Sequence, residues 1–311
     1  MDVLSDVVAV TRTGRSRWAY VRWHAPWRQE FASVPGSAGF QVVLQGSCWL
    51  LPSRAEPVQL GAGDVVFLPH GSGHTLADSP ETPVTTPACG PDDHQLSETY
   101  ASDSVDRSGD GGPVTVVLCG AYQLDPFRTH PLLLSLPDLI HLSAQAGSHP
   151  ELSSALELLA AEVENPRLGT DAAVPALLDA LLLYILRIWF NGRSSLGNTT
   201  GWAAALNDPP VTAALHAIHR DPASQWTVAN LAAEAGLSRA AFARRFALLI
   251  GQPPLGYLTW WRMTTAARLL RASDAPLRSI ATQVGYTSEF AFANAFKRTH
   301  GTAPGTYRRR S

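Results

Sequence analysis

The side chains with the most specific hydrogen-bonding chemistry follow two serines, Ser238 and Ser288, at matching distances. Arg244 lies six residues after Ser238, and Asn294 lies six residues after Ser288. A guanidinium can form two parallel hydrogen bonds to the edge of guanine, and a carboxamide can do the same with adenine. Phe290, two residues after the second serine, can contact a thymine methyl group. These residue types predict contacts with base edges, provided that both segments expose them.

The segments that carry these side chains are two copies of one pattern. The first copy runs from Leu231 to Phe246 and the second from Ile280 to Phe296. The matching residues are Leu231, Ala232, Gly236, Ser238, Phe242 and Phe246 in the first copy and Ile280, Ala281, Gly285, Ser288, Phe292 and Phe296 in the second. A short helix, a glycine turn and a second helix that begins at serine are typical of a helix-turn-helix. Two such motifs in series predict a protein that binds DNA.

In the first copy, each matching residue has a structural role. Gly236 supplies the positive φ of the turn, and Ser238 caps the second helix by accepting from its free amides. Phe242 and Phe246 lie four residues apart on one helix face and fill the core. The positions left on the outward faces are Arg239, Ala240, Ala243 and Arg244, with Arg245 as a weaker candidate.

In the second copy, Ser288 is the cap, and Phe292 and Phe296 are core residues. The exposed positions are then Glu289, Phe290, Ala291 and Asn294. The basic residues Lys297, Arg298 and Arg308–Arg310 are expected to contact phosphates, which positions a protein on the duplex without reading its sequence.

The charge distribution supports the same interpretation. Residues 208–311 carry thirteen Lys and Arg against five Asp and Glu, whereas the preceding residues carry eleven against twenty-one. A basic C-terminal third on an acidic body is typical of a nucleic-acid module attached to a domain of another function.

The two predicted recognition helices expose different residues. This asymmetry argues against the alternative of a structural nucleoid protein without sequence preference.

The doubled motif, with G-Q-P-P-L-G-Y-L-T-W-W-R-M-T-T-A-A-R-L-L between its copies, resembles the AraC/XylS family of transcription regulators. The resemblance covers roughly residues 208–310. It implies that Ala240, Ala243 and Arg244 face base edges. It also implies that Leu255–Leu270 forms one long helix that holds the recognition helices about one DNA turn (~34 Å) apart.

The N-terminal half has a second resemblance. Residues 63–78 read G-D-V-V-F-L-P-H-G-S-G-H-T-L-A-D, which is similar to the second cupin motif, with Asp78 where asparagine is usual. The flanking segments are short, β-branched and aromatic, and turn residues separate them, as in a small barrel. The resemblance implies the cupin-type sensor half of an AraC subgroup, in which one branch senses reactive chlorine through cysteine.

These patterns predict an α+β multidomain chain. The expected parts are a cupin-like β-barrel over residues 1–145, a helical dimerisation or packing segment over 146–192, a flexible linker over 193–207 and an all-α double helix-turn-helix domain over 208–311. The two helices of the second part are expected at Pro150–Glu164 and Asp171–Phe190. The second is apolar around much of its circumference, so it is expected to lie in the core or against another subunit.

The sensor half also contains candidate ligand-binding histidines. They are His24, His70, His74 and His94. The first cupin metal motif, H-x-H followed by Glu, is absent, and glutamines occupy the strand where its ligands sit. Because a catalytic metal needs about three protein ligands, His74 alone cannot form such a site. A metal in the barrel, and with it a metal-dependent cupin enzyme that carries an accessory DNA-binding tail, remains the alternative function.

The signal has two candidate classes, an oxidant and a small molecule. Cys89 lies in a polar loop and is the best candidate for a reactive thiol, although neighbouring acids would raise its pKa. Cys48 and Cys119 lie in apolar strands, where thiols are usually buried. A small ligand in the barrel mouth would contact residues such as Trp23, Trp49 or His74, although these aromatic residues equally fit the core.

The remaining expectations concern location and partners. Three cysteines do not form a disulfide framework, and the chain has neither a signal-peptide pattern nor a clean membrane-spanning stretch. We therefore expect a cytoplasmic protein without a membrane partner. Because the cupin metal-ligand set is incomplete, we also expect that the protein is not an enzyme. The family resemblance implies a homodimer that contacts RNA polymerase, more often as an activator.

Overall fold

The computed structural model describes residues 2–11, 17–84, 88, 104–107, 111–124, 130–144, 149–195 and 200–310. The chain forms two compact units. The sheet unit consists of Arg12–Thr129 and Leu136–Trp189, and the helical unit consists of Met1–Thr11, His130–Ser135 and Phe190–Ser311. The helical unit therefore includes two segments from the N-terminal half, which differs from the domain boundaries expected from sequence.

The strands of the sheet unit are short. They are β1 Arg17–His24, β2 Arg28–Phe31, β3 Ser37–Gln45, β4 Ser47–Pro52, β5 Val58–Gly61, β6 Val65–Leu68, β7 His74–Ala77, β8 Ser104–Arg107, β9 Val114–Gln123 and β10 Ile140–Leu142. They form a six-stranded sheet in the order β10-β6-β3-β9-β1-β8 and a four-stranded sheet in the order β2-β7-β4-β5. Among the described strands no pair joins the two sheets, so the expected closed barrel is replaced by two separate sheets.

The hydrophobic core of this unit contains residues from both sheets. Val21, Val43 and Val117 from the six-stranded sheet cluster with Leu50 and Leu76 from the four-stranded one. Successive side chains along a strand point to opposite faces of the sheet, so every second residue can contribute an apolar side chain to this core. The two sheets thus share one core although they do not close into a barrel.

Two helices follow the strands, α3 (Pro150–Glu164) in the sheet unit and α4 (Thr170–Ser195), which belongs to the sheet unit as far as Trp189. The first agrees with the sequence expectation, and the second is longer than expected at its C-terminal end. Tyr122 on β9 donates its hydroxyl to the carbonyl of Leu178 on α4, which ties this helix to the six-stranded sheet. Thr170–Arg193 is long and apolar enough to cross a membrane by length and composition. Its buried side chains, such as Leu181 and Ile185, instead indicate a core helix.

The remaining helices belong to the helical unit. They are α1 Val3–Thr11, α2 Pro131–Leu134, α5 Gly201–Leu206, α6 Pro209–Arg220, α7 Val228–Glu234, α8 Arg239–Ile250, α9 Pro254–Ala272, α10 Leu277–Gln283, α11 Glu289–His300 and α12 Pro304–Arg310. The linker expected at 193–207 is wrong in part, because α4 continues to Ser195 and α5 packs against α8. Trp202 on α5 is buried, and this apolar anchor outweighs the polar composition around it.

The connector between the two helix-turn-helix motifs is the single helix α9, as expected. Tyr257 and Trp261 in its first half are buried beside the first motif, where Tyr257 contacts Phe246 edge-to-face. Met263, Ala266, Ala267 and Leu270 in its second half join the core of the second motif. One rigid element therefore belongs to the cores of both motifs.

Candidate nucleic-acid interface

The first motif is capped as its sequence predicts. The Thr227 hydroxyl accepts from the Asn230 amide at 3.1 Å, and Gly236 has a φ of 64° in the turn. The Ser238 hydroxyl accepts from the Ala241 amide at 3.4 Å, and Gly251 ends α8 in the left-handed conformation. These short-range contacts set where α8, the first recognition helix, begins and ends.

Burial separates the two faces of α8. Phe242 and Phe246 are fully buried, with ring centroids 5.5 Å apart. Arg239, Ala240 and Arg244 are exposed, and Ala243 is half-buried beside them. The four residues selected from sequence thus lie on the solvent side of this helix.

Arg245, the weaker candidate, has a structural partner. Its Nε donates to Asp208 Oδ2 at 2.7 Å, and its Nη2 contacts the same oxygen. Asp208 also caps α6 by accepting from the Val211 amide at 3.0 Å. The guanidinium of Arg245 therefore anchors the start of α6.

The second recognition helix, α11, repeats this arrangement. The Ser288 hydroxyl accepts from the Ala291 amide at 3.3 Å, and Phe292 and Phe296 are fully buried. The residues on its exposed face are Glu289, Phe290, Ala291, Asn294, Lys297 and Arg298. Phe290 is 76% exposed, which is unusual for a large apolar side chain and indicates an interaction surface.

The C-terminal arginines differ from the expectation. Arg308 donates through Nη2 to the Ala275 carbonyl at 2.6 Å, so it anchors α12 to the loop before α10. Arg309 is exposed and donates to the Thr306 hydroxyl at 3.2 Å. Of the described side chains in this group, Arg309 is the one available to a phosphate.

Arg262, on the connector helix, contacts segments of both motifs, which the sequence pattern did not reveal. Its Nε donates to the Pro222 carbonyl at 2.7 Å and its Nη2 to the Ser224 carbonyl at 2.8 Å, both in the loop that precedes the first motif. Its guanidinium also lies over the ring of Tyr286, in the turn of the second motif. Gln225 in the same loop donates to the carbonyl of Gly285 at 3.3 Å. The guanidinium thus holds the two motifs in one fixed orientation.

In the sheet unit, the candidate ligand His74 is already engaged. Gln41 Nε2 lies 2.9 Å from His74 Nε2, and the other ring nitrogen lies 3.3 Å from the Ser72 carbonyl. Burial lowers the pKa of His74 to about 4, so the imidazole is neutral. His70 is held by the Leu136 carbonyl at 3.0 Å.

No metal-binding group forms among these residues. In the described part of the chain, no three or more His, Cys, Asp and Glu side chains come together as a metal would require. His24 lies in β1, and His94 lies outside the described residues. The ring nitrogen of His74 that would bind a cupin metal faces Gln41, so the residues present do not fit a cupin metal site.

Two of the three cysteines, and the candidate aromatic residue Trp23, are buried in the sheet unit. Cys48 is buried, and this burial, with the nearby Asp64, raises its pKa to about 12, which disfavours the reactive thiolate. Cys119 is also buried, with its sulfur 3.6 Å from the Ala19 carbonyl, while Cys89 lies outside the described residues. Trp23 stacks on Trp27 in the core.

Asp78, at the unusual cupin-motif position, has a structural role. It accepts from the Trp27 amide at 3.2 Å and from the Thr82 hydroxyl at 2.6 Å. The carboxylate therefore orders the turn after β7, which explains why an acid is tolerated where the motif usually has asparagine.

Comparison with known proteins agrees with both halves. A family described as Cupin matches residues 2–191, and a helix-turn-helix domain family matches residues 231–310. A putative AraC-like transcription regulator of Streptomyces lividans is 35% identical over 99% of this chain and 98% of its own. A second, from Streptomyces antibioticus, is 34% identical over 99% of both chains.

The similarity extends to a further regulator and to a solved structure. The HTH-type transcriptional regulator AlkR of Acinetobacter baylyi is 28% identical over 100% of both chains. The DNA-binding domain of AdpA, a global transcriptional factor solved in complex with a target DNA, is 36% identical and corresponds to 33% of this chain and 91% of that one, with a TM-score of 0.31. The full-length relatives, the cupin match over more than half of the chain and the paired recognition helices lead to one conclusion: the chain belongs to the AraC family of transcription regulators, with a cupin-type N-terminal half and a DNA-binding helix-turn-helix domain.

Proposed function

We propose that this regulator reads its operator with both recognition helices, which enter successive major grooves on one face of the duplex. The observation that carries the proposal is that α8 and α11 both bury their phenylalanines and expose their reading side chains. The connector α9 has nineteen residues, which corresponds to a rod about 28 Å long. A stiff rod of this length suits half-sites separated by about one turn of DNA, roughly 34 Å.

The exposed residue types suggest individual roles. Arg244 would form two hydrogen bonds to guanine, Asn294 would read adenine, and Phe290 would contact a thymine methyl group. Glu289 would accept from the amino group of cytosine. The remaining basic side chains, Arg239, Lys297 and Arg298, would neutralise phosphates and add salt dependence to the affinity.

The experiment that tests this proposal compares Arg244→Ala with Arg309→Ala on an operator selected from random duplexes by the wild-type protein. We expect Arg244→Ala to weaken binding by about 1–3 kcal/mol and to relax the preference at one base position. We expect Arg309→Ala to weaken binding to all sequences about equally and to reduce the slope of affinity against salt. Binding of a complete set of single-base operator variants at two salt concentrations measures both effects.

An unchanged base preference in Arg244→Ala would remove this residue from the reading surface. If neither α8 nor α11 variants altered base preference, while salt alone controlled affinity, the protein would bind as a structural nucleoid protein does. The two substitutions remove the same charge, so each serves as the control for the other.

We infer further that the signal is a small molecule, for which the sheet unit offers more support than for an oxidant. The high pKa of buried Cys48 makes its thiol a poor target for oxidants. In the described structure, Gln41 Oε1 and Trp27 Nε1 are buried polar atoms without hydrogen-bond partners. Such atoms are costly unless a ligand or water satisfies them, so they are the points at which a polar ligand would be recognised.

A homodimer through α4 is the proposed assembly. Leu177, Tyr184 and Ile188 recur at helical spacing and remain partly exposed on this helix, although they are apolar or aromatic. A second copy of the same face would cover them. Placed in the cytoplasm, such a dimer would present two pairs of recognition helices to DNA and would contact RNA polymerase, most simply as an activator. No observation favours the alternative of a cupin enzyme.

A further inference from the structure

Four buried polar side chains form a continuous chain inside the helical unit. Asp6 lies on α1, His219 near the end of α6, Tyr257 on α9, and His130 immediately before α2. His219 Nδ1 lies 3.2 Å from Asp6 Oδ2, and His219 Nε2 lies 2.7 Å from Tyr257 Oη. His130 Nε2 lies 3.1 Å from the same hydroxyl. All four residues are less than 10% exposed.

The backbone determines the direction of every hydrogen bond in this chain. The Leu132 amide donates to His130 Nδ1 at 2.9 Å, so a neutral His130 must carry its proton on Nε2 and donate to Tyr257. The Tyr257 hydroxyl then donates to His219 Nε2. His219 keeps its proton on Nδ1, where it donates to the Asp6 carboxylate. Each donor thus has one acceptor, and the arrangement requires both imidazoles to be neutral.

Aromatic packing holds the two imidazoles in place. The indole of Trp261 stacks on His219 with ring centroids 3.7 Å apart and an interplanar angle of 2°. Trp202 and Trp260 contact His130 edge-on, each at 4.8 Å. Burial is the main cause that lowers the pKa of His219 and of His130, which favours the neutral forms.

Two members of the chain come from the N-terminal half of the sequence. The helix α1, which carries Asp6, precedes β1, and the segment that carries His130 lies between β9 and β10. The helix α1 packs against α6 and α9 through its buried Val3 and Val7. The strands of the sheet unit are therefore covalently continuous with α1 and with the segment that carries His130, both of which contact the connector helix.

We propose that Asp6 and His130 are positioning residues for DNA binding, which act through Tyr257 to hold the connector helix and thereby set the spacing at which the two recognition helices bind. This inference rests on the proposed two-groove reading and adds its regulation. A change in the strands next to α1 or to His130 reaches the connector through the covalent chain and these four side chains. Neither residue touches DNA, so the effect appears in the spacing preference and not in the base preference.

The test uses full-length protein and duplexes in which the two half-sites of the selected operator are moved apart or together in single base-pair steps. We expect the wild type to bind best at one spacing. Asp6→Ala is expected to weaken binding at that spacing about tenfold and to flatten the preference across the series. Asp138→Ala removes an exposed aspartate of the sheet unit and is the matched control, with wild-type behaviour expected.

His130→Asn is the second variant, in case Asp6→Ala does not fold. The asparagine oxygen can still accept from the Leu132 amide, so the start of α2 is retained while the bond to Tyr257 is lost. Asp6→Asn keeps an acceptor for His219 and is expected to restore the wild-type spacing preference at neutral pH. An equal loss of affinity at every spacing, or folded variants that keep the wild-type preference, overturns the proposal. A wild type without any spacing preference refutes the two-groove reading itself.

The pH dependence supplies a readout that simple packing would not change. Above pH 6.5, the ordinary pKa of histidine, both imidazoles are neutral in the folded and unfolded states and the chain contributes fully. Because their folded pKa values lie lower, stability is expected to fall as the pH drops below 6.5. The spacing preference of the folded protein is expected to fall only at the lower pH at which its imidazoles become protonated. Protonated His219 would donate from Nε2, which leaves the Tyr257 hydroxyl proton without an acceptor.

The groups that face His219 are Asp6 on α1, Tyr257 on α9 and His130, with His216 as a further charge on α6. Of these, the Asp6 carboxylate favours the protonated imidazole of His219. Asp6→Asn is therefore expected to move the loss of spacing preference to lower pH. Binding titrations across the spacing series at successive pH values measure this shift. A midpoint that is the same in both proteins contradicts a role for the Asp6–His219 pair.

Discussion

Gly285→Ala is expected to destabilise the helical unit by about 2–5 kcal/mol, whereas Gly236→Ala costs about 1–2 kcal/mol. Both glycines have a positive φ, 82° and 64°, and both occupy the turn of a helix-turn-helix. A Cβ at Gly285 would lie 2.7 Å from Arg262 Nη2 and 2.8 Å from the Ala223 carbonyl, whereas nothing lies within 4 Å of a Cβ at Gly236. The backbone strain is common to both positions, whereas the steric overlap occurs only at Gly285.

The steric overlap at Gly285 cannot be relieved by a small shift of the neighbouring atoms. Arg262 is held by the carbonyls of Pro222 and Ser224, and the second obstacle is itself a backbone atom. The second motif must therefore move away from the first, which alters the orientation that Arg262 maintains. Footprints of Gly285→Ala should lose protection at one half-site, while Gly236→Ala should keep both with weaker affinity.

Denaturant unfolding followed by tryptophan fluorescence measures the two stability changes, with the slope compared to confirm that the unfolded states are alike. The glycines are matched by residue type, turn position and sign of φ, so each controls for the other. Equal costs at the two positions would show that the contact between Arg262 and the second turn has no energetic weight.

Leu181→Asp is expected to unfold the sheet unit, with a loss of about 5 kcal/mol or more. Leu181 is fully buried on α4. Truncating a buried leucine costs about 2–5 kcal/mol, and an unpaired carboxylate in an apolar site adds to this penalty. Because a small domain has only about 5–15 kcal/mol of stability, the variant should be largely unfolded in this unit.

The matched control for Leu181→Asp is Leu177→Asp, one turn earlier on the same helix, where the side chain is partly exposed. This variant is expected to fold, because solvent can reach the carboxylate, and to sediment as a monomer if the exposed face of α4 joins two copies. Circular dichroism and sedimentation velocity of both variants separate the two roles. A folded, dimeric Leu181→Asp would contradict the burial of this residue.

The local features of the DNA-binding half were predictable from sequence because they depend on residues a few positions apart. Ser238 and Ser288 cap the helices that follow them, and the glycine at each turn has the positive φ that its residue type allows. The phenylalanines spaced four apart are buried for the same reason, since helical periodicity alone decides which face they share.

Features that depend on distant pairing were not predictable. Arg245 and Arg308 occupy outward positions on a helical projection, but each has a partner thirty or more residues away. Strand composition predicted the β-rich half, whereas the pairing of strands into two sheets depends on hydrogen bonds that composition does not specify. The polar residues around Trp202 predicted a linker. A single tryptophan changes the average composition of a segment very little, so its burial could not be predicted from composition.

The sequence by itself determined that this chain has two capped recognition helices, a basic C-terminal third and a cupin-type N-terminal half. Only the tertiary structure decided which distant side chains contact one another. Arg262 contacts segments of both helix-turn-helix motifs, and a chain of hydrogen bonds runs from Asp6 through His219 and Tyr257 to His130. Asp6 and His219 are separated by 213 residues. Caps and periodicity act within a helical turn, whereas a buried hydrogen bond between such distant residues exists only after folding has brought their backbones together.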